Sequence, residues 1–254
     1  MGTAETTSKG EMFMYGMYGY GYGYGFDPTI ILVLIGVALS LWAQGRVNST
    51  FSRYSRVRSM TGMTGAEAAR RLLNAQGIYD VTVQPIAGEL TDHYDPRTKT
   101  VNLSQSVYGA TSVAAIGVAA HECGHAMQDN EGYAPLRFRS ALVPAANFGS
   151  KLSWPLILLG LVFGGLGSPL VEIGILMFSL AVLFQLVTLP VEYNASARAV
   201  RFLDSQGILA GEEVSGTRKV LNAAALTYVA AAATSILQLL RLIILFGGRN
   251  RRDN

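Results

Sequence analysis

A chain of 254 residues in which half are hydrophobic and only 15% charged is too apolar for an ordinary soluble enzyme. Its single cysteine, Cys123, excludes an intramolecular disulfide framework. The formal net charge of +3 does not point to nucleic acid, because no zinc knuckle, RNA-binding signature or concentrated basic helix accompanies it, and basic residues flanking membrane spans account for the excess.

Residues 1–26 end in MFMYGMYGYGYGYGF, an alternation of Tyr and Gly that cannot pack a core and reads as a flexible Gly/Tyr-rich tail, with self-association as the alternative. No basic segment precedes it, so a cleaved signal peptide is not expected. Residues 27–44 form the first predicted transmembrane helix, built on the apolar run 29–43 with Phe26 and Gln44 at its interfaces. Arg46, Arg53, Arg56 and Arg58 follow it, so the positive-inside bias places the N-terminus outside and the next segment on the cytoplasmic face.

Residues 45–151 read as the soluble catalytic part. Thr64 and Glu67 have capping-box spacing, Ala68, Leu72 and Leu73 supply an apolar helix face, and Gly77 is a natural left-handed stop. The stretches 81–86, 89–94 and 100–103 alternate well enough for a small sheet of two or three strands, with Asp95-Pro96 opening a turn. Thr111 or Ser112 then caps a helix predicted to run to Gln128, whose apolar part, 113–120, is too short to span a bilayer.

That helix carries His121-Glu122-Cys123-Gly124-His125. Positions i and i+4 share one face, so both imidazoles can address one ion, and Glu122 is angled beside that ion as a general base. Two imidazoles and a carboxylate suit Zn2+ and leave a fourth position for water. Cys123, roughly opposite the ligands, is expected to pack in the core, and Gly124 to permit close helix packing. His93 is a candidate oxyanion stabiliser or a plain strand histidine bonded to Asp92 or Tyr94, with Tyr193, Arg198 and Tyr228 as weaker candidates for the same role.

Candidates for a third ligand are His93, Asp92, Asp129, Glu131 and Glu192. Residues 152–190 form a predicted transmembrane hairpin, with apolar runs 154–167 and 170–189 separated by Ser168-Pro169 and with Glu172 tolerated near the turn. The hairpin returns the chain to its starting side, so Glu192, opening a predicted amphipathic helix within 191–222, becomes the strongest candidate. The segment 199–208 (AVRFLDSQGI) echoes 69–78 (ARRLLNAQGI), which we read as recurring helix-end chemistry. Residues 223–247, with Gln238 and Arg241 inside, form a fourth transmembrane or membrane-associated helix, and 248–254 a basic tail that a span would leave outside.

The segments Leu90-Thr-Asp-His-Tyr-Asp-Pro96, Ala114-Ala-Ile-Gly-Val-Ala-Ala-His-Glu-Cys-Gly-His-Ala126, Leu189-Pro-Val-Glu-Tyr-Asn-Ala-Ser-Ala-Arg-Ala199 and Ala224-Ala-Leu-Thr-Tyr-Val-Ala230 resemble the YugP-like neutral zinc metallopeptidases and, more distantly, the HtpX and CAAX prenyl protease gluzincins. The resemblance implies a mainly α multi-pass membrane protein whose zincin-like (gluzincin) α+β catalytic domain carries a small sheet. It also implies His121, His125 and Glu192 as zinc ligands, Glu122 as base, and spans inserted between the two metal-binding helices. The chain departs from the distant relatives at Ser196, where they commonly carry Asp; Asn194 or Ser196 is then expected to hydrogen-bond a ligand histidine.

The expected activity is hydrolysis of peptide bonds by zinc-activated water, on membrane-associated or misfolded polypeptides at the cytoplasmic face of the plasma membrane. The competing readings are an intramembrane protease and a silent scaffold or chaperone holding a structural zinc. The expected partners are a polypeptide substrate and the lipid bilayer but no nucleic acid, with a homo-oligomer or a membrane partner protein left open.

Overall fold

The computed structural model describes residues 27–165 and 168–246. The tails 1–26 and 248–254 lie outside them, as do residues 166 and 167 of the predicted hairpin. Among the described residues, seven helices and three strands follow in the order α1 (Ile30–Tyr54), α2 (Gly65–Ala75), β1 (Thr82–Ile86), β2 (His93–Asp95), β3 (Thr100–Ser104), α3 (Gln105–Tyr108), α4 (Val113–Asn130), α5 (Ala134–Gly164), α6 (Pro169–Ser205) and α7 (Glu212–Phe246).

Four of these, α1, α5, α6 and α7, are long and apolar enough to cross a membrane. Each exceeds the apolar run that identifies it. α1 continues ten residues past Gln44, α7 begins eleven before Ala223, and α5 begins twenty before Trp154 and absorbs Pro144 and Pro155. Proline is tolerated in such helices because neighbouring elements re-satisfy the freed carbonyls. Glu192, expected at the opening of a separate helix, lies instead deep inside α6, which passes through Pro190 without a break.

α1 and α7 run antiparallel along their lengths. Arg241 Nη2 donates to Asp27 Oδ2 at 2.8 Å and its Nε to Thr29 Oγ1 at 3.1 Å, while Thr234 Oγ1 donates to the Gly36 carbonyl at 3.1 Å. The arginine inside the last apolar run is therefore paired at the far end of α1. At the other end, Tyr54 reaches Gly216.

The compact part gathers around α4. Ser112 Oγ accepts the Ala115 amide at 3.2 Å, and 14 of the 18 residues of α4 are buried, so this helix is enclosed by protein rather than exposed to lipid. Leu72, Leu73, Val101, Leu103, Ile116, Met127, Leu203 and Ile208 form one core. The Thr64–Glu67 capping box is present on α2. Gly77 and Gly207 both adopt left-handed backbone (φ +69° and +60°), and Ile78 and Ile208 donate back to Leu73 and Leu203 at 2.9 and 3.0 Å. The two similar segments thus share one helix stop, which tucks an isoleucine into the core each time.

The sheet has the order β1-β3-β2, with β1 parallel and β2 antiparallel to the central β3. The edge strand β2 is shorter than the alternation over 89–94 implies: Gly88 (φ +104°) and Leu90 (φ +53°) turn the backbone, and only His93–Asp95 pairs.

Two leucines separate the regimes of packing. Leu72 is fully buried in the compact core, whereas Leu41 on α1 is 69% exposed. Leu72→Ala is expected to lower unfolding stability in mild detergent by about 2–5 kcal/mol and Leu41→Ala by less than about 0.5 kcal/mol. Equal losses in denaturant titrations would contradict the assignment of the core.

Candidate metal centre

The i, i+4 spacing on α4 brings His121 and His125 onto one face, with ring centroids 4.8 Å apart in an edge-on arrangement. α6 supplies Glu192, whose Oε2 lies 3.2 Å from His121 Nε2 and 3.5 Å from His125 Nε2. The three donor atoms lie within 4.8 Å of one another, and the Glu192 side chain is only 3% exposed. Among the described residues this is the one such grouping of three potential ligands.

The backbone contact beneath the cluster explains why the two helices can meet. A Cβ placed on Gly124 would stand 2.6 Å from the Ala195 carbonyl oxygen and 3.1 Å from its Cα. Any side chain there would push α4 and α6 apart. Cys123, next in sequence, faces the other way, buried with its sulfur 3.6 Å from the Ala69 carbonyl, and burial keeps its thiol protonated.

The outer ring nitrogens are held by neighbours. Gln128 Nε2 donates to the Val191 carbonyl and to Asn194 Oδ1, both at 2.9 Å, leaving its Oε1 to accept from His125 Nδ1 at 3.0 Å. That puts a proton on Nδ1, so that the neutral ring presents an Nε2 lone pair to Glu192. Ser196 Oγ lies 3.1 Å from His121 Nδ1. A carboxylate oxygen facing an imidazole lone pair at 3.5 Å is repulsive unless a cation lies between them. The donor set therefore fits a divalent metal, and two nitrogens with one oxygen are the ligand chemistry zinc takes.

Glu122 stands beside this cluster, 7% exposed. Burial pushes its carboxyl up to about 7; His121 and the Tyr94 amide on β2 oppose the rise, while Glu192 and Asp92 add to it. Asp92 is itself raised by burial, although it accepts the Ser104 amide at 2.7 Å and the Ser104 hydroxyl at 2.9 Å. A cavity of about 260 Å³ opens onto His121, Glu122, Glu192, Ser196 and Asp92, with α1 contributing Gln44, Val47 and Phe51 and α7 contributing Ala224, Thr227 and Tyr228.

The remaining sequence candidates are dispersed. His93 sits exposed on β2, with Nδ1 2.9 Å from the Thr91 carbonyl and Nε2 3.2 Å from Asn102, outside the cavity wall. Asp129 pairs with Lys99 and accepts the Tyr94 hydroxyl, Glu131 pairs with Arg198, and Tyr193 is exposed on α6. Two residues of the site escaped the sequence reading. Gln128 lay three positions after His125, a spacing that could have revealed it. Arg139, whose Nη1 is 3.5 Å from Glu192 Oε1, carried no local signal, because its approach depends on how the chain turns at Gly132 (φ +66°) between α4 and α5.

A family model described as "Putative neutral zinc metallopeptidase" matches residues 29–247. The chain belongs to that family. It is also 49% identical, over 224 residues, to the "Putative membrane protease YugP" of Bacillus subtilis (strain 168), covering 88% of this chain and 98% of that protein. No solved structure matches. Family membership agrees with the donor set found at the α4–α6 contact, and four apolar helices agree with a membrane protein.

The contact between α4 and α6 makes a direct prediction. Gly124→Ala should lower zinc affinity at least about tenfold, the scale seen when the supports of metal ligands are lost. Gly109→Ala, where an added Cβ meets nothing within 4 Å, should leave it unchanged. Undiminished zinc affinity in Gly124→Ala would contradict the role given to this contact.

Proposed function

We propose that the chain is a membrane-embedded zinc metalloendopeptidase of gluzincin type, with His121, His125 and Glu192 as ligands and Glu122 as general base. The observation that carries this reading is the convergence of two imidazole nitrogens and a buried carboxylate oxygen beside a second buried carboxylate. A zinc ion bound there would act as a Lewis acid, polarising the scissile carbonyl and lowering the pKa of a water from about 15.7 towards 7.

The chain's own groups account for the rest. Glu122 takes the proton of the attacking water on its carboxylate and passes it to the leaving amine nitrogen. Ser196 and Gln128 hold the ligand rings in orientation. For the developing oxyanion, Tyr228 is better placed than His93: it stands in the cavity wall and interacts electrostatically with Glu192 and Glu122, whereas the His93 ring is engaged by Thr91 and Asn102. Arg139 Nη1, 3.5 Å from Glu192 Oε1, helps to hold that carboxylate in place.

In this reading the catalytic part is discontinuous. Residues 45–151 and 191–222 build it, and the hairpin of α5 and α6 interrupts it. The cavity wall draws on Ala224, Thr227 and Tyr228 from the apolar run of α7 and on Gln44 and Val47 at the end of that of α1, so it opens where spans leave the bilayer. That placement favours membrane-associated or misfolded polypeptides as substrates. The arginines that follow the first apolar run favour the cytoplasmic face.

Two variants test the roles together. Purified protein should bind about one zinc; Glu122→Gln should keep it and lose cleavage by about 10²-fold or more, whereas Glu192→Ala should lose the metal itself. Cleavage retained in Glu122→Gln would overturn the assignment of the base, and full zinc content in Glu192→Ala would overturn that of the ligand.

A further inference from the structure

On the other side of the α1–α7 pair lies a second cavity, of about 710 Å³, lined by Arg46, Ser49, Thr50, Arg53, Lys219 and Asn222 together with Tyr54 and Tyr193. Its wall on α1 is a single stripe: Arg46, Ser49, Thr50 and Arg53 are spaced i, i+3, i+4, i+7. Lys219, Asn222, Ala223 and Leu226 repeat that spacing on α7. The catalytic cavity uses a different stripe of α1, Gln44, Val47 and Phe51, so the two cavities have separate walls.

Three cations meet here, and no acidic residue lines the cavity. Among the described residues, none of Arg46, Arg53 and Lys219 has a carboxylate within salt-bridge distance, and the Arg53 guanidinium rests over the Tyr54 ring at 5.7 Å. Hydroxyls and an amide stand between the cations. This is a donor-rich concavity suited to an anion with several acceptor oxygens.

Its depth relative to the bilayer narrows the ligand. Arg46 follows the last residue of the first apolar run, Ala43, by three positions; Lys219 precedes Ala223 by four, and Tyr193 follows Leu189 by four. At about 1.5 Å per residue, all three stand roughly 4.5–6 Å beyond the ends of apolar runs on three different helices. That is the level of lipid headgroups, where basic pockets between spans take anionic phosphate.

We propose that the cavity between α1, α6 and α7 is a phosphate-binding site for the headgroup of an anionic phospholipid, distinct from the metal centre. Bound lipid bridges α1 and α7 at the point where the catalytic cavity draws its wall from the same two helices.

The test uses the full chain in neutral detergent, titrated with monomeric short-chain phosphatidylglycerol, with phosphatidylcholine of the same acyl length and with inorganic phosphate. Phosphatidylglycerol should bind saturably and at least about tenfold tighter than phosphatidylcholine, with an affinity that falls as salt rises. R46Q/R53Q/K219Q should lose that preference, while R56Q/R58Q/R71Q, an equal change in net charge, should keep it. Competition by inorganic phosphate at equal concentration would assign the site to free phosphate and overturn the lipid assignment; its absence upholds lipid-borne phosphate. Equal weakening by both triple variants, or no preference in the parent chain, would overturn it. Should the cavity triple variant not be recovered folded, R53Q and K219Q singly, each expected to weaken binding about threefold, decide the same question.

Discussion

The approach of α4 to α6 at Gly124 and Ala195 is the constraint on which the site depends. Glu192 reaches the two histidines only because nothing but a hydrogen separates the backbones at that level. The same closeness lets Gln128 bridge the helices, accepting from His125 Nδ1 on one side and donating to Val191 and Asn194 on the other. Gln128 thereby fixes both the separation of the helices and the proton on His125 Nδ1. Arg198 extends this polar seam, donating to Asn194 Oδ1 at 2.7 Å and to Glu131 at 2.6 Å.

Around that contact two kinds of packing meet in one chain. The compact part follows the rules of soluble proteins: capped helices, left-handed stops and a continuous core under a three-stranded sheet. α1 and α7 present apolar side chains outward and meet through small and polar ones, Gly36, Ser40 and Thr234, as helices do where lipid rather than water is the competitor. α6 belongs to both regimes, mostly apolar through its first five turns and carrying the buried Glu192 after Pro190. Because it does not break there, the position of Glu192 is coupled rigidly to the hairpin, and α5 returns Arg139 to the same carboxylate.

Much of this was legible in the sequence, for identifiable reasons. The His121–His125 spacing, the Thr64 capping box, the Ser112 cap and the glycine stops are local signals, and each appears where expected. Helix lengths were not legible, because hydrophobicity marks the part of a helix that can lie in lipid and is silent about polar extensions that pack on protein. The boundary expected after residue 190 is absent, because α6 continues through Pro190 while packed against α4 and α7. Ser196 and Asn194 were foreseen as alternatives, yet both act: Ser196 at His121 directly, and Asn194 at His125 through Gln128. Arg139 stayed hidden because contacts between distant helices leave no periodic trace in one sequence.

Zinc K-edge X-ray absorption on the purified full chain reads the ligand shell itself. About two imidazole nitrogens at roughly 2.0–2.1 Å and a carboxylate oxygen at roughly 2.0–2.2 Å are expected, with no sulfur. A scatterer at about 2.3 Å, the distance of a zinc–thiolate bond, would place Cys123 on the metal and contradict the site built by α4 and α6.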